Sequence, residues 1–492
     1  MSSDADIPRT DSRASKIARR IEADIVRRGW PVGESLGSEQ ALQQRFCVSR
    51  SVLREAVRLV EHHQVARMRR GPSGGLLVCE PDAGPATRAV VIYLEYLGTT
   101  LGDLLNARLV LEPLAAALAA EHIDETGIEA LRAVLRAEEQ WHPGMPAPRE
   151  EFHVALAERS KNPVLQLFID VLMRLTKRYA FESQTASENE AIEAVDQMHH
   201  AHSDIVAAVT AGDSARARTL TERHVQAVTA WLQEHQDGAD ATARVRGPRR
   251  ARLEIDAPRG KLAEVLAVTI SDDIAASGWH VGSVFGTEAA LLERYRVSRS
   301  VLREAVRLLE YHTIARMRRG PGGGLIVTQP QAQASIDTIA LYLQYRKPSR
   351  EDLRCVRDAI EIDNVARVVR RRSEPEVAAF LQPNLQPNRP APTQATARAT
   401  DDLRKAAVEE FRFHVGLSQL AGNSLLELFL RIIVELFRRH WSSSGQALPT
   451  WSDVVAVEHA HERILEAISI GDDSLARYRV RRHLDAAASW WL

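Results

Sequence analysis

Cysteine is scarce in this chain of 492 residues: only Cys47, Cys79 and Cys355 are present. They stand alone, without the paired spacings of a zinc ribbon or a disulfide framework, so neither device is expected to hold the chain together. Long apolar runs are missing too, and nothing approaches the roughly 20 apolar residues of a membrane-spanning helix. The N-terminal MSSDADIPRTDSR has no apolar signal core, so a cytoplasmic protein without membrane contact is expected. Aromatic residues make up 5% and the net charge is −1, so the field of the whole molecule says little about partners. There is no HExxH and no nucleophile elbow. The glycine-rich stretches lack the lysine and the strand-to-helix setting of a phosphate loop. An enzyme is therefore not expected, a metal-dependent one being the competing class.

What the chain has is a repeat. Its length exceeds what one core organises, and 45% hydrophobic with 26% charged residues is a globular composition. VSRSVLREAVRL occurs at Val48 to Leu59 and, letter for letter, at Val297 to Leu308. Over Arg45–Val78 against Arg294–Val327, 26 of 34 positions match, and Arg108 through Glu112 aligns with Arg357 through Glu361 at the same offset of 249. Further on, His153 pairs with His414 at an offset of 261, and His202 with His461 and His224 with His483 at 259. The second copy thus carries an insertion, placed in the Pro- and Gln-rich stretch 382–400 and read as a flexible surface loop. A polar linker is expected at 236–255.

Each copy reads as two parts. In the first, Ile17, Ile21 and Ile25 recur every four residues on an amphipathic helix. A short helix opened by Ser38 and Glu39 follows, then a turn, then a helix capped by Ser49. On that helix Val52, Leu53, Ala56, Leu59 and Val60 form the inward side, leaving Arg50, Arg54 and Arg58 outside. VARMRRGPSGGLLV then punctuates two short β-prone runs with glycine and proline, as a hairpin does. This order is a winged helix-turn-helix, expected at 11–80 and again at 256–329. Arginines at the start of the third helix suit guanine edges; serine hydroxyls and the helix N-terminus suit phosphates. The candidate DNA-binding residues are Ser49, Arg50, Ser51, Arg54, Arg69, Arg70 and Gly71, with Ser298, Arg299, Ser300, Arg303, Arg318, Arg319 and Gly320 in the second copy. Gly71, Gly74 and Gly75 in the wing are read as allowing close backbone approach.

SEQALQQRFCVSRSVLREAVRLVE with its glycine-containing wing resembles the N-terminal domain of the GntR superfamily of bacterial transcription regulators. Positions 276–328 repeat it. That family often has arginine directly after the motif glutamate, whereas this chain has Gln40 and Ala289, so that DNA contact is not carried over. The second parts, 86–235 and 334–492, are helical throughout and resemble the FadR-type C-terminal ligand-binding domain, FCD-like bundles of about six or seven helices. The fold class is mainly α: two winged helix-turn-helix domains, each followed by an all-α bundle.

Three histidines recur in each copy, His153, His202 and His224 and then His414, His461 and His483. The last two of each set lie 22 residues apart on successive helices, so both can point into one bundle core, as metal ligands do. The resemblance implies an aspartate one turn before the first histidine; here Arg149 and Glu410 stand there. Glu410 can complete a site for zinc or a similar divalent ion, whereas Arg149 opposes one unless Glu150 swings in. Tighter metal binding is expected in the second copy. Arg108 and Arg357 either hold the carboxylate of a small organic acid or pair with a neighbouring glutamate. Fatty acyl effectors, known among the relatives, remain the alternative. One chain carrying two heads is expected to read a pseudo-palindromic operator as a covalent pseudo-dimer, as a repressor by preference. Homo-oligomerisation stays open.

Overall fold

The computed structural model describes residues 13–69, 71, 74–141, 151–182, 188–234, 259–320, 322–384, 399–444 and 450–491. The chain divides into two compact units. One holds the described residues of 1–92, 253–271 and 280–347; the other holds those of 93–252, 272–279 and 348–492. Most of both copies of the first part thus lies in one unit and most of both copies of the second part in the other, with 272–279 of the second head grouped with the bundles and 86–92 and 334–347 grouped with the heads.

The first head runs α1 (Arg13–Arg27), α2 (Glu39–Phe46), α3 (Arg50–His62), β1 (Ala66–Arg69) and β2 (Gly75–Val78), leading into α4 (Ala83–Leu97). The isoleucine stripe of α1 is buried, Ile25 completely, against Leu42, Leu53, Ala56, Val60 and Leu76. Ser38 caps α2 by accepting from Ala41 N, and Ser49 caps α3 by accepting from Val52 N. Cys47 turns the chain between the helices in the left-handed region, at φ 50°. One detail of α3 differs from the sequence expectation: Val57 is buried, while Val52 and Leu59 are only partly covered. The wing pairs Ala66 with Val78 through Arg69 with Gly75. Gly75 has φ 155°, and a Cβ there would stand 2.4 Å from Ser35 Oγ and 2.7 Å from Gly37 O. The close approach that needs this glycine is thus to the head's own preceding turn, and not to a partner.

The second head repeats this as α11 (Arg259–Ala276), β3 (Val284–Gly286), α12 (Glu288–Tyr295), α13 (Arg299–Tyr311), β4 (Ala315–Arg318) and β5 (Gly324–Val327), followed by α14 (Ala332–Arg346). Even the strained backbone is copied: Trp30, Cys47 and Gln64 are left-handed, as are Trp279, Arg296 and Thr313. Here the strand before the second helix pairs with the wing, giving the order β3-β5-β4, where the first head has a single bridge, Ser35 to Leu77.

The two heads pair through the C-terminal ends of α3 and α13. His62 Nε2 and His312 Nε2 face each other at 3.1 Å, and His63 bonds the Tyr311 hydroxyl. Positions 62 and 311 correspond in the repeat, as do 63 and 312, so the two contacts are related by a pseudo-twofold. Buried Glu22 lies 2.5 Å from His63, while its counterpart on α11 is Ser271.

In the other unit the first bundle comprises α5 (Leu101–His122), α6 (Glu125–Glu139), α7 (Glu151–Arg159), α8 (Pro163–Glu182), α9 (Glu188–Thr210) and α10 (Ser214–Glu234). The second comprises α15 (Arg350–Arg370), α16 (Pro375–Asn384), α17 (Ala399–Ala421), α18 (Ser424–Ser444), α19 (Trp451–Ile470) and α20 (Asp473–Trp491). Capping boxes open the long central helices, Thr100 with Asp103 for α5 and Ser349 with Asp352 for α15. Ala115, Ala116, Ala117, Ala119 and Ala120 leave α5 slender enough to pack against α7, α8, α9 and α10 together. The bundles meet along α5 and α8 against α15 and α18. There Phe168 stacks on its own repeat counterpart Phe429, centroids 3.9 Å apart and planes 6° from parallel. The stretch expected as an insertion loop is partly helical, since α16 runs to Asn384 and α17 begins at Ala399; 385–398 and the whole expected linker 236–255 lie outside the described residues. Among the described residues no helix is long and apolar enough to cross a membrane.

Candidate DNA interface and sensor sites

Pairing the heads through the C-terminal ends of α3 and α13 leaves their N-terminal turns in solvent. Ser49, Arg50, Ser51 and Arg54 are exposed or half-buried, as are Ser298, Arg299, Ser300 and Arg303. The serine pairs bond each other at 3.0 Å and 2.9 Å beside the free backbone N–H groups of the first turn. Arg69, Gly71, Arg318, Arg319 and Gly320 are exposed on the wings, and Arg318 donates to Gly322 O at 2.8 Å; Arg70 lies outside the described residues. Glu39, which sequence reading placed only at a helix end, accepts from Arg54 Nε at 2.7 Å and Arg50 Nε at 3.1 Å. Those two bonds hold its carboxyl below the usual range. Glu39 therefore fixes where the two arginines point.

In the first bundle α7, α9 and α10 bring His153, His202 and His224 together, with ligand atoms within 4.8 Å of one another and all three side chains buried. His202 Nε2 and His224 Nε2 are 3.2 Å apart. Two carboxyls stand behind the rings: Glu112 Oε2 lies 2.8 Å from His153 Nδ1, and Glu138 Oε1 lies 2.7 Å from His202 Nδ1. Arg108, 2% exposed, donates Nε to Glu112 at 2.5 Å and brings Nη2 within 3.5 Å of His153 Nε2. Burial depresses His202 strongly and His224 to about 3, with His153 adding to both. Burial pushes Glu138 the other way, to about 8, with Glu151 contributing. Glu112 stays well below the usual range despite its burial, because Arg108 and His153 adjoin it. Arg149 and Glu150 lie outside the described residues.

The second bundle gathers Glu410 and His414 of α17, His461 of α19 and His483 of α20. Glu410 Oε1 is 3.2 Å from His414 Nε2 and 3.1 Å from His483 Nε2, and its Oε2 is 2.8 Å from His461 Nε2. His414 Nδ1 is backed by Glu361, the counterpart of Glu112. Although burial opposes it, Glu361 and Glu410 raise His414 to about 10. Arg357 lies 3.5 Å from Glu361, 3.4 Å from Asp358, and over the Phe437 ring at 5.6 Å. Both readings of the paired arginines persist: each neighbours a glutamate, and only Arg108 also reaches the imidazoles. The backing carboxyls Glu112 and Glu361 were missed as site residues, although the repeated Arg-x-x-x-Glu spacing of 108–112 and 357–361 was a signal for them.

The profile of the FCD domain matches residues 103–227 and 352–486, more than half of the chain, and that of bacterial regulatory proteins of the gntR family matches 13–74. The chain belongs to the GntR family of regulators, with its FCD domain present twice. It is 26% identical over 241 residues to the Uxu operon regulator of Haemophilus influenzae, covering 46% of this chain and 84% of that one. It is 29% identical over 207 residues to the HTH-type transcriptional regulator LutR of Bacillus subtilis, covering 39% of this chain and 89% of that one. Among solved structures it matches a Streptococcus agalactiae GntR at 24% identity and a TM-score of 0.32, covering 44% of this chain and 99% of that one. Each relative thus aligns with less than half of this GntR chain. Its domains and relatives are those of DNA-binding transcription regulators, which are not enzymes.

Proposed function

We propose that this chain is a self-contained regulatory pseudo-dimer. One polypeptide presents two recognition helices to a pseudo-palindromic operator and releases or holds it in response to a small organic acid sensed in the FCD bundles. The observation that carries this reading is the pairing of the two heads with each other, His62 against His312 and His63 against Tyr311. Two-headed binding then needs no second chain, because tethering makes the second half-site contact intramolecular. Repression is the simpler mode, since occupying a promoter requires no surface for polymerase, and the cytoplasm is where the operator lies.

The sensor sites fit a divalent ion such as zinc. Glu410, His414, His461 and His483, all donor groups that suit such an ion, converge with their ligand atoms within 4.8 Å of one another. His414, His461, His483 and Glu410 hold the ion in the second bundle, and His153, His202 and His224 in the first, with Glu112 and Glu361 orienting the leading imidazoles. A bound ion supplies a Lewis-acidic anchor for a carboxylate, and Arg108 and Arg357 are the candidate organic partners of that group.

The test is selection of bound duplexes from a random DNA pool, followed by the mass of the bound complex. A paired motif held by one chain is the expected result. A motif held only by two chains, or none with folded protein, overturns the reading.

A further inference from the structure

We propose that the junction between the two heads is a proton-sensitive latch, in which His62 and His312 hold the recognition helices paired and acidification lets them part. The latch itself rests on the pairing of the heads; its effect on DNA rests also on the pseudo-dimer reading above.

The repeat gives the junction two equivalent contacts, His62 with His312 and Tyr311 with His63, and the two differ in chemistry. At the second contact a positive charge has an answer: Glu22 lies 2.5 Å from His63 Nδ1, and the Tyr311 hydroxyl can accept from Nε2. His312 is the repeat counterpart of His63, but Ser271 stands where Glu22 would be. In place of a hydroxyl it meets another ring nitrogen, His62 Nε2 at 3.1 Å, with the ring planes at 73°. One neutral ring donates there, and the other accepts on a bare nitrogen. The single place for an added proton that keeps this bond is Nδ1 of the donor, where it makes a half-buried cation. A second proton sets two N–H groups head to head and breaks the bond.

The surroundings oppose even the first proton. Burial, His312, His63 and Arg88 of α4 hold His62 well below 6.5, and burial, His63 and Arg88 bring His312 to about 3. Among the described residues no carboxylate acts on either ring. Glu264 of α11 meets Arg88 only at 4.0 Å, Asp82 lines a small cavity with His63 and not with the pair, and α14 brings the uncharged Thr338 to Tyr311. One turn earlier Arg58 and Arg307 already oppose each other with like charge, against Glu55 and Glu304.

The paired rings therefore refuse protons that separated rings accept near 6.5. Pairing is strongest above that pH and weakens as pH falls through it, for His312 down to about 3. Between about pH 7.5 and 5.5 each ring makes separation about tenfold easier, and the two together about a hundredfold. Because the junction sets the spacing of the N-terminal turns of α3 and α13, the same change loosens two-headed binding to an operator.

The experiment is amide hydrogen exchange of the full chain without DNA, read by mass spectrometry on peptides covering 59–66 and 308–315 and corrected for the intrinsic effect of pH. Between about pH 7.5 and 5.5 the opening of these peptides is expected to rise about a hundredfold in wild type and about tenfold in His62→Gln and in His312→Gln. In the double variant, whose amides bond without titrating, no rise is expected. A wild-type rise no larger than that of the double variant overturns the proposal. Should the double variant not fold, exchange at the imidazole C–H between the two ring nitrogens decides in wild type. A midpoint well below 6.5 at His62 and His312 supports the latch, and one near 6.5 at either ring, with the amides still protected, overturns it. If the latch holds and DNA selection yields no motif held by one chain, the pseudo-dimer reading falls while the latch stands.

Discussion

Asn162 and Asn423 occupy the same place in the two bundles, and each reaches into the other: Asn162 Nδ2 donates to Asp352 O at 3.0 Å and Asn423 Nδ2 donates to Asp103 O at 2.9 Å. The accepting aspartates are themselves repeat counterparts. Each asparagine also uses Oδ1 to cap its own helix, Asn162 at Val164 N and Leu165 N and Asn423 at Leu425 N and Leu426 N. One side chain therefore fixes both a helix start and the pairing of the bundles. Replacing it by alanine removes a cap, at about 0.5–2 kcal/mol, and a hydrogen bond to a half-buried carbonyl of the other bundle, at about 0.5–1.5 kcal/mol. Asn162→Ala and Asn423→Ala are expected to lower stability by similar amounts in chemical denaturation. Equal losses identify a true pseudo-twofold; a loss at one site alone refutes it.

The DNA assignment makes a second prediction. Arg54→Ala and Arg303→Ala should each weaken operator binding, by about 1–3 kcal/mol where the side chain makes a bidentate base contact. Glu39 ties Arg50 and Arg54 in the first head, so Glu39→Ala should alter sequence preference there while leaving non-specific affinity nearly unchanged. Fluorescence anisotropy on the selected duplex and on scrambled DNA, each over a range of salt, separates base reading from phosphate attraction. If neither arginine variant changes specific binding at moderate salt, the recognition-helix reading is wrong.

A third prediction concerns pH. Burial raises the Asp358 carboxyl from 3.8 to about 6, with Glu361 adding to the effect against Arg357 and Arg354. A carboxyl whose folded value lies above its unfolded one favours the folded state when protonated. Its contribution is therefore fully present below about pH 3.8 and is lost as pH rises through 6. Asp358→Asn should stabilise the chain near pH 8, by at most about 3 kcal/mol and less what the arginine contacts contribute. The difference from wild type should shrink between pH 6 and pH 4. Denaturation midpoints of the two proteins across that window decide it, and a gain independent of pH would rule out titration as its source.

Much of this architecture is written locally, and that part was readable. Ser38 and Ser49 announce helix starts, the isoleucines of α1 recur at helical spacing, and the second copy repeats the first with little change. The three histidines of each bundle were found because repetition singled them out. Unread were the features set by packing between distant segments. Glu138 reaches His202 across 64 residues, and His62 meets His312 across 250. No periodicity or cap encodes such a contact. Val57 was likewise missed because which residues at the edge of an amphipathic stripe are covered depends on the neighbouring α1, and not on the helix itself.

The last prediction ranks the two sites for metal. The second set has Glu410 among its donors and Glu361 behind them, both held below the usual carboxylate range by the adjoining His414 despite their burial. A dication there meets a carboxylate already placed beside all three imidazoles. In the first set the ionised Glu112 is already matched by Arg108, and a dication enters against that guanidinium's field. Zinc is therefore expected to fill the second bundle first, with the chelator concentration needed to strip it higher than for the first. His483→Ala should remove the tight class and His224→Ala the weak one, each read from metal content after stepwise dialysis. Equal and tight loading of both bundles would overturn this ranking.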